Sequence, residues 1–180
     1  MATKIINFIT GASTAVLSPP TPDWQNVGNA VDSTAGTYAT SSTKSSALTM
    51  YMTGLTVAPQ RYLGKITKVE LGTNGYWYTN GGGSAAGCQY VPVFGGTTAG
   101  AGTYSCAAYT QNTDDGTIRW VDITSDANVP TGGWNWNVIN GIQMRCTALL
   151  AGNKASVAVD QMYIRVTYTP DTTNYIRAFN

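Results

Sequence analysis

The chain contains no histidine, and only 11% of its 180 residues are charged. Without an imidazole the usual general base near neutral pH is missing. Carboxylates are few: eight Asp and the single Glu70. A glycosidase needs two of them with different tasks. The one adjacent pair, Asp114-Asp115, opens an Asp-Asp-Gly turn signal, and turn chemistry accounts for both side chains. No Gly-x-Ser-x-Gly elbow and no Gly-x-x-x-x-Gly-Lys-Ser/Thr loop occurs. The sequence therefore predicts a protein that is not an enzyme and uses no cofactor.

Positive charge is equally sparse. The net charge is +1, with no run of Lys or Arg. The basic face that neutralises phosphates is absent, so nucleic acid is not an expected partner. A basic membrane-surface helix is excluded for the same reason. No apolar run approaches the ~20 residues of a membrane-spanning helix. The opening Met1-Ala-Thr-Lys4-Ile-Ile-Asn-Phe-Ile is broken at Asn7 and is shorter than the ~7–15-residue core of a secretory leader. It reads as a native start, so a place on a virion or outside the cell would be reached by another route, such as lysis.

Cysteine is scarce too. Cys88, Cys106 and Cys146 are too few and too odd in number for a disulfide framework. Two readings stand: three small buried hydrophobes, or a Cys88–Cys106 bridge across neighbouring strands. With no His and no close Cys pair, the usual zinc spacing cannot be built, and no metal ligand is assigned. Asp32, Asp122, Asp126 and Asn128 are oxygen donors of the calcium type, but they follow no loop motif, and turn or surface use is the simpler expectation.

What the chain does hold is 43% hydrophobic residues, 27 Thr, 20 Gly, 13 Asn and 11 Ser. Branched Thr suits a pleated sheet; Gly, Asn and Ser suit turns. Period-2 patterning is clearest at 140–150, with Ile142, Met144, Cys146, Ala148 and Leu150 on one face, and at 156–168, with Met162, Ile164, Val166 and Tyr168 on one face. Further strands are predicted at 4–9, 47–53, 62–71 (with a bulge near Thr67-Lys68), 89–94, 102–109 and 117–122. Residues 24–44 and 75–83 read as loops. Nothing shows a 3.6-residue apolar period. Seven to nine such strands predict an all-β fold, an antiparallel two-sheet sandwich of jelly-roll type. The division expected is an N-terminal strand and Pro-rich linker over 1–23, a sandwich over 24–169 and a tail over 170–180.

Aromatic residues are five Trp and eleven Tyr against three Phe. Rings with a polar handle suit surfaces wet on one side. Tyr76-Trp77-Tyr78, flanked by Asn74 and Asn80 in a Gly-rich stretch, is the candidate glycan platform; the competing reading is that alternate rings cover a sheet edge. Trp24, Trp120, Trp134 and Trp136 are assigned to structure, with Trp120 and Trp136 in or beside the core and the Trp134 and Trp136 rings directed alike. Ile5, Ile6, Phe8 and Ile9 at one end, and Tyr175, Ile176 and Phe179 at the other, are apolar beyond the sandwich. They are the candidates for pairing with a second copy by strand addition, against the alternative that they fold back on their own sandwich.

Three patches carry a resemblance. Trp24-Gln-Asn-Val-Gly-Asn29-Ala30-Val-Asp32, followed by Thr37-Tyr38-Ala39, resembles the "W-x-N-x-x-N-A-x-D … x-Y-A" opening of a family of virion-associated proteins from tailed phages and prophages. Trp120-Val-Asp122-Ile-Thr124 with Trp134-Asn-Trp136-Asn-Val-Ile is similar to its "W … T-W-x-x-x-D-I" segment. Val159-Asp160-Gln161-Met-Tyr163-Ile164-Arg-Val166-Thr-Tyr168 is similar to its closing strand "V-D-x-V-x-I-x-V-x-Y". The resemblance spans roughly residues 24 to 168. It implies a β-sandwich structural protein of a virion and supplies no catalytic residues. The Gly- and Tyr-rich 74–102 region departs from the pattern, leaving capsid decoration, tail, fibre and free filament open. The functional expectation is a self-assembling, surface-displayed structural protein whose partners are copies of itself and other virion proteins. The alternative is a carbohydrate-binding module that takes a cell-surface glycan on its aromatic loop.

Overall fold

The computed structural model describes residues 1–8, 10–13, 24–41, 48–53, 64–79, 81, 84–151 and 155–170. In chain order the strands are β1 (Ala2–Asn7), β2 (Thr10–Ser13), β3 (Trp24–Gln25), β4 (Ala39–Ser41) and β5 (Leu48–Thr53). They continue with β6 (Lys65–Thr79), β7 (Ser84–Phe94), β8 (Thr98–Ala99), β9 (Tyr104–Ser105) and β10 (Thr110–Gln111). The last are β11 (Arg119–Asp122), β12 (Gln143–Ala151) and β13 (Ala155–Thr169). A 3₁₀ turn (Val27–Val31) and one helix, α1 (Trp136–Gly141), complete the described elements.

Two sheets result, which makes the fold an all-β two-sheet sandwich. One runs β10-β6-β13-β4-β3, with β1 also on β13 and β11 also on β6. The other runs β2-β5-β12-β7-β8, with β9 also on β7. Among the described residues every pairing is antiparallel except β10 with β6. The inward faces follow the alternation: Met162, Ile164 and Val166 of β13 are buried, as are Met144, Cys146 and Ala148 of β12, with Ile142 just ahead of them. Each buried Met, Ile or Val side chain among them is worth about 1.5–3 kcal/mol, so the two facing stripes hold the sheets together.

The β6/β13 ladder is the longest among the described residues and carries two bulges. Its register passes from Lys68↔Thr167 to Ile66↔Tyr168, so Thr67 is the extra residue, where a bulge is expected from the sequence. It also passes from Gly75↔Val159 to Asn74↔Gln161, which leaves Asp160 as an extra residue in β13.

Three expectations about the course of the chain need correction. First, 75–79 is not a loop but the end of β6, which runs unbroken to Thr79 because β13 continues beside it. Second, the strand expected at 140–150 starts later. Asn135 accepts from the N–H groups of Asn137 and Val138 (3.0 and 3.1 Å) and so caps a helical turn through Gly141. Third, the described part of 1–23 is built into the sandwich. Strand β1 pairs with β13 from Ala2↔Tyr168 to Asn7↔Tyr163, while β2 pairs with β5 of the other sheet. Between them the Phe8 N–H donates to the Met162 carbonyl (3.3 Å), and Ile6 and Phe8 are buried in the common core. Alternation explains the outcome: Ile6 and Phe8 share one face, and an edge of the chain's own sheet is the nearest acceptor. Ile5, on the opposite face, stays 51% exposed. Ile9, Tyr175, Ile176 and Phe179 lie outside the described residues.

Trp24 and Trp136 are buried; the Trp136 indole donates to the Gly64 carbonyl (2.9 Å) and meets Tyr168 edge-on. Trp134 is half-buried against Phe94 and donates to the Thr124 carbonyl (2.8 Å). Trp120 departs from expectation. It lies on the outer face of its sheet, half-buried, opposite Gly72. A Cβ on Gly72 would come within 2.5 Å of its ring, so the indole occupies the space where that strand has no side chain. Arg165 covers it at 4.3 Å from the ring centroid. Losing a half-exposed ring costs less than losing a core one. Trp120→Ala should stay folded and soluble, destabilised by about 1–2 kcal/mol and so lowered in Tm by roughly 2–8 °C. A thermal melt checks this.

Candidate functional site

Alternation along the end of β6 sends Tyr76 and Tyr78 to the outer face of the sheet and Trp77 inward, where it packs against the core. In register with Tyr76 lie Ala158 of β13 and, beyond it, Thr40 of β4. Ala158 contributes only a methyl group between them. On the other flank β10 runs beside Tyr76 and Trp77, and the Asn112 N–H donates to the Trp77 carbonyl (2.7 Å).

The wall facing these strands is the 26–38 segment. Asn26 takes a left-handed conformation (φ 53°), and its carbonyl accepts from the Asn29 N–H (2.9 Å). Asp32 accepts from the Thr34 N–H (2.7 Å) and the Thr37 hydroxyl, closing a turn. Asn29 donates to the Tyr38 carbonyl (3.3 Å). These bonds place the Tyr38 ring edge-on to Tyr76, with centroids 5.1 Å apart, and Tyr78 follows at 6.0 Å from Tyr76.

The product is an open cleft of about 560 Å³ lined by Asn26, Asn29, Gly36, Thr37, Tyr38, Thr40, Tyr76, Tyr78 and Asn112. Its size is that of a small-molecule site, and every lining group is neutral. Beneath it lies the bulge. Asp160 is buried and accepts from the Gly36 N–H (3.0 Å) and the Asn74 amide (2.9 Å), which also reaches Asp114 (3.4 Å). The Asn74 oxygen accepts from the Gln161 N–H (3.1 Å). Burial pushes the Asp160 carboxyl above its ordinary range; Asp114 and Asp32 add to this, against the pull of the two donors. Burial first also raises the phenols of Tyr38 and Tyr76, with Asp114 next for Tyr38, and Tyr78 and then Asp114 next for Tyr76.

Of the candidate platform, then, the structure brings Tyr76 and Tyr78 to the cleft and takes Trp77 away. Asn80 lies outside the described residues, and Asn74 braces the bulge. Tyr38, Asn26, Asn29, Thr40 and Asn112 are missed by the sequence reading. Asn26, Asn29 and Tyr38 fall within the Trp24–Asp32 and Thr37–Ala39 patches, but only as part of a resemblance.

A second charged cluster crosses the outer face of the same sheet. Arg165 donates to both Glu70 oxygens (2.6 and 2.7 Å), and Lys68 donates to one of them (2.8 Å). The Arg165 bonds, more than the cost of burial opposes, hold the Glu70 carboxyl below its usual value, with Lys68 adding to the effect. A depressed carboxylate stabilises the fold above the unfolded-chain value, and that contribution is lost as pH falls through the folded one. Glu70→Gln should therefore cost about 1–3 kcal/mol near neutral pH, with the gap to the parent closing below pH ~4. Melting curves of both proteins across that range check it.

The calcium-type donors serve as braces. Asp126 accepts from the N–H groups of Ala101, Gly102 and Asn128 and from the Tyr104 hydroxyl. Asp122 accepts from the Thr124 N–H and faces Lys68 (3.6 Å). Among the described residues, no group of three or more His, Cys, Asp or Glu is placed to hold a metal ion. All three cysteines are buried free thiols; Cys106 faces Cys88, with its N–H on the Cys88 carbonyl (3.0 Å). Among the described residues no helix is long and apolar enough to cross a membrane. The chain matches no protein-family model, no curated protein and no solved structure.

Proposed function

We propose that the chain is a non-enzymatic structural protein that is displayed on a surface and assembles with copies of itself, as a virion component (decoration, tail or fibre) or an extracellular filament subunit. The observation that carries this reading is the state of the carboxylates. All seven in the described residues are engaged in holding backbone or neighbouring side chains. Asp32, Asp114, Asp115, Asp122 and Asp126 cap turns, Asp160 braces the bulge, and Glu70 joins strands. Even Asp114 and Asp160, which meet through the Asn74 amide, are both taken up in bracing the backbone. The resemblance to tailed-phage virion proteins falls on framework elements, which suits a scaffold role.

The site of self-contact follows from exposure. Among the described residues, the large exposed apolar side chains are Met1 and Ile5, both at β1, whose only described neighbour is β13. An open edge carrying an apolar residue accepts a further strand. Light scattering over a concentration series, with mass spectrometry of purified particles, tests the proposal. Self-association weakened by Ile5→Lys, and recovery of the chain with particles, support it. A monomer at every concentration that is also absent from particles overturns it, as does turnover of a substrate that one Asp→Asn change abolishes.

A further inference from the structure

We infer that the cleft between Tyr38, Tyr76 and Tyr78 is a binding site for a neutral oligosaccharide and that it turns away sugars bearing a carboxylate or sulfate. The inference does not depend on the assembly proposed above.

Three observations carry it. The rings come first. Tyr38, Tyr76 and Tyr78 are half-exposed, and their edge-to-face and tilted packing leaves ring surface toward the cleft. The C–H faces of a pyranose pack on such rings, because one side of the sugar is apolar while its edges are wet.

Second, the groups that a sugar's hydroxyls need are in place. Among the described residues, the phenols of Tyr38, Tyr76 and Tyr78 and the side-chain amides of Asn26 and Asn112 make no hydrogen bond. Amides and phenols both donate and accept, which matches hydroxyls that do the same. Their mounting is fixed by backbone bonds, Asn26 through its turn and Asn112 through Trp77. The ordering cost on binding is therefore small.

Third, charge selects the ligand. Among the described residues no Lys or Arg lines the cleft. Asp160 lies directly behind its Gly36 wall, and Asp114 is joined to Asp160 through Asn74. An anionic sugar would meet these carboxylates with no cation among the described lining residues to offset them; a neutral one would not. A nucleotide or phosphopeptide is disfavoured on the same ground. The volume of about 560 Å³ and the open form suit a short oligosaccharide laid along the rings.

The experiment is a glycan array carrying neutral hexose and N-acetylhexosamine oligosaccharides beside sialylated, uronic-acid and sulfated ones. Each hit is then titrated by calorimetry. The expected result is micromolar-to-millimolar binding to neutral members alone, little changed between about 0.05 and 0.5 M salt. Tyr76→Ala and Tyr78→Ala should each weaken it about tenfold or more with the melting temperature near the parent's. Trp77→Phe, on the inward face, should leave affinity unaltered. Should Tyr76→Ala fail to fold, Tyr78→Ala and Asn112→Ala serve in its place. No neutral glycan bound, equal binding of acidic glycans, or unchanged affinity in the folded tyrosine variants overturns the inference.

Discussion

A chain lacking residues 1–8 should show no cooperative unfolding transition at room temperature. The truncation removes the whole of β1, whose six residues pair with β13, and takes Ile6 and Phe8 out of the core. Truncating a buried Phe alone typically costs about 3–5 kcal/mol, and burial of Ile6 adds about 1.5–3 kcal/mol. Set against a total stability of about 5–15 kcal/mol, the sum removes most or all of the margin. It also uncovers a stretch of β13 from Tyr163 to Tyr168 as a new open edge, so aggregation should accompany unfolding. The single change Phe8→Ala isolates the packing part and should lower stability by about 3–5 kcal/mol. Circular dichroism during a denaturant titration reads both. The same experiment decides whether β1 sits on its own sandwich or on a neighbour's. On its own sheet, the parent's midpoint is independent of protein concentration; exchanged between copies, the midpoint rises with concentration. A shortened chain that melts like the parent would show that Ile6 and Phe8 are not core residues.

Which parts of this fold can be read from the residues follows from the range of the signal. β12 and β13 are legible because their period-2 pattern is local and uninterrupted, and Met144, Cys146, Met162, Ile164 and Val166 fall inside as the alternation predicts. The bulge at Thr67 is legible because the apolar pattern of β6 slips there. The helix at Trp136–Gly141 is too short to show a period, and its one local signal is the Asn135 cap. The place of β1 is decided by which edge is open, a property of the finished sheet. Trp120 misleads because a tryptophan in a strand looks like core. Its partner Gly72, which leaves the outer face bare for it, is known only from the register. The cleft is half legible. Tyr76 and Tyr78 announce themselves, while Tyr38 reaches them only because β4 and β6 flank the same stretch of β13.

Gly75→Ala should be among the most damaging single substitutions in this chain, although it adds one methyl group. The Cβ it introduces would stand 2.1 Å from the Ala158 carbonyl oxygen and 3.1 Å from the Val159 Cα. Both obstacles are backbone of β13, held by the ladder on each side and by β4 on the far flank. Neither can swing aside, so relief requires β6 and β13 to part where the Asp160 bulge brings them close. Overpacking usually costs about 1–3 kcal/mol, and a clash with fixed backbone belongs at or above the top of that range. Gly72→Ala is the informative comparison. Its Cβ would meet atoms of Trp120 and Ile118 at 2.5–2.9 Å, a similar crowding, but those are side chains on an outer face and not ladder backbone. Gly72→Ala should therefore cost about 1–2 kcal/mol and leave the cleft intact. Gly75→Ala should cost at least about 3 kcal/mol and displace Tyr76, so that any ligand affinity of the cleft falls with stability. Denaturant midpoints of the two variants, measured side by side, test this: equal destabilisation would mean that β6 and β13 do not approach at the bulge as closely as the Gly75 contact requires.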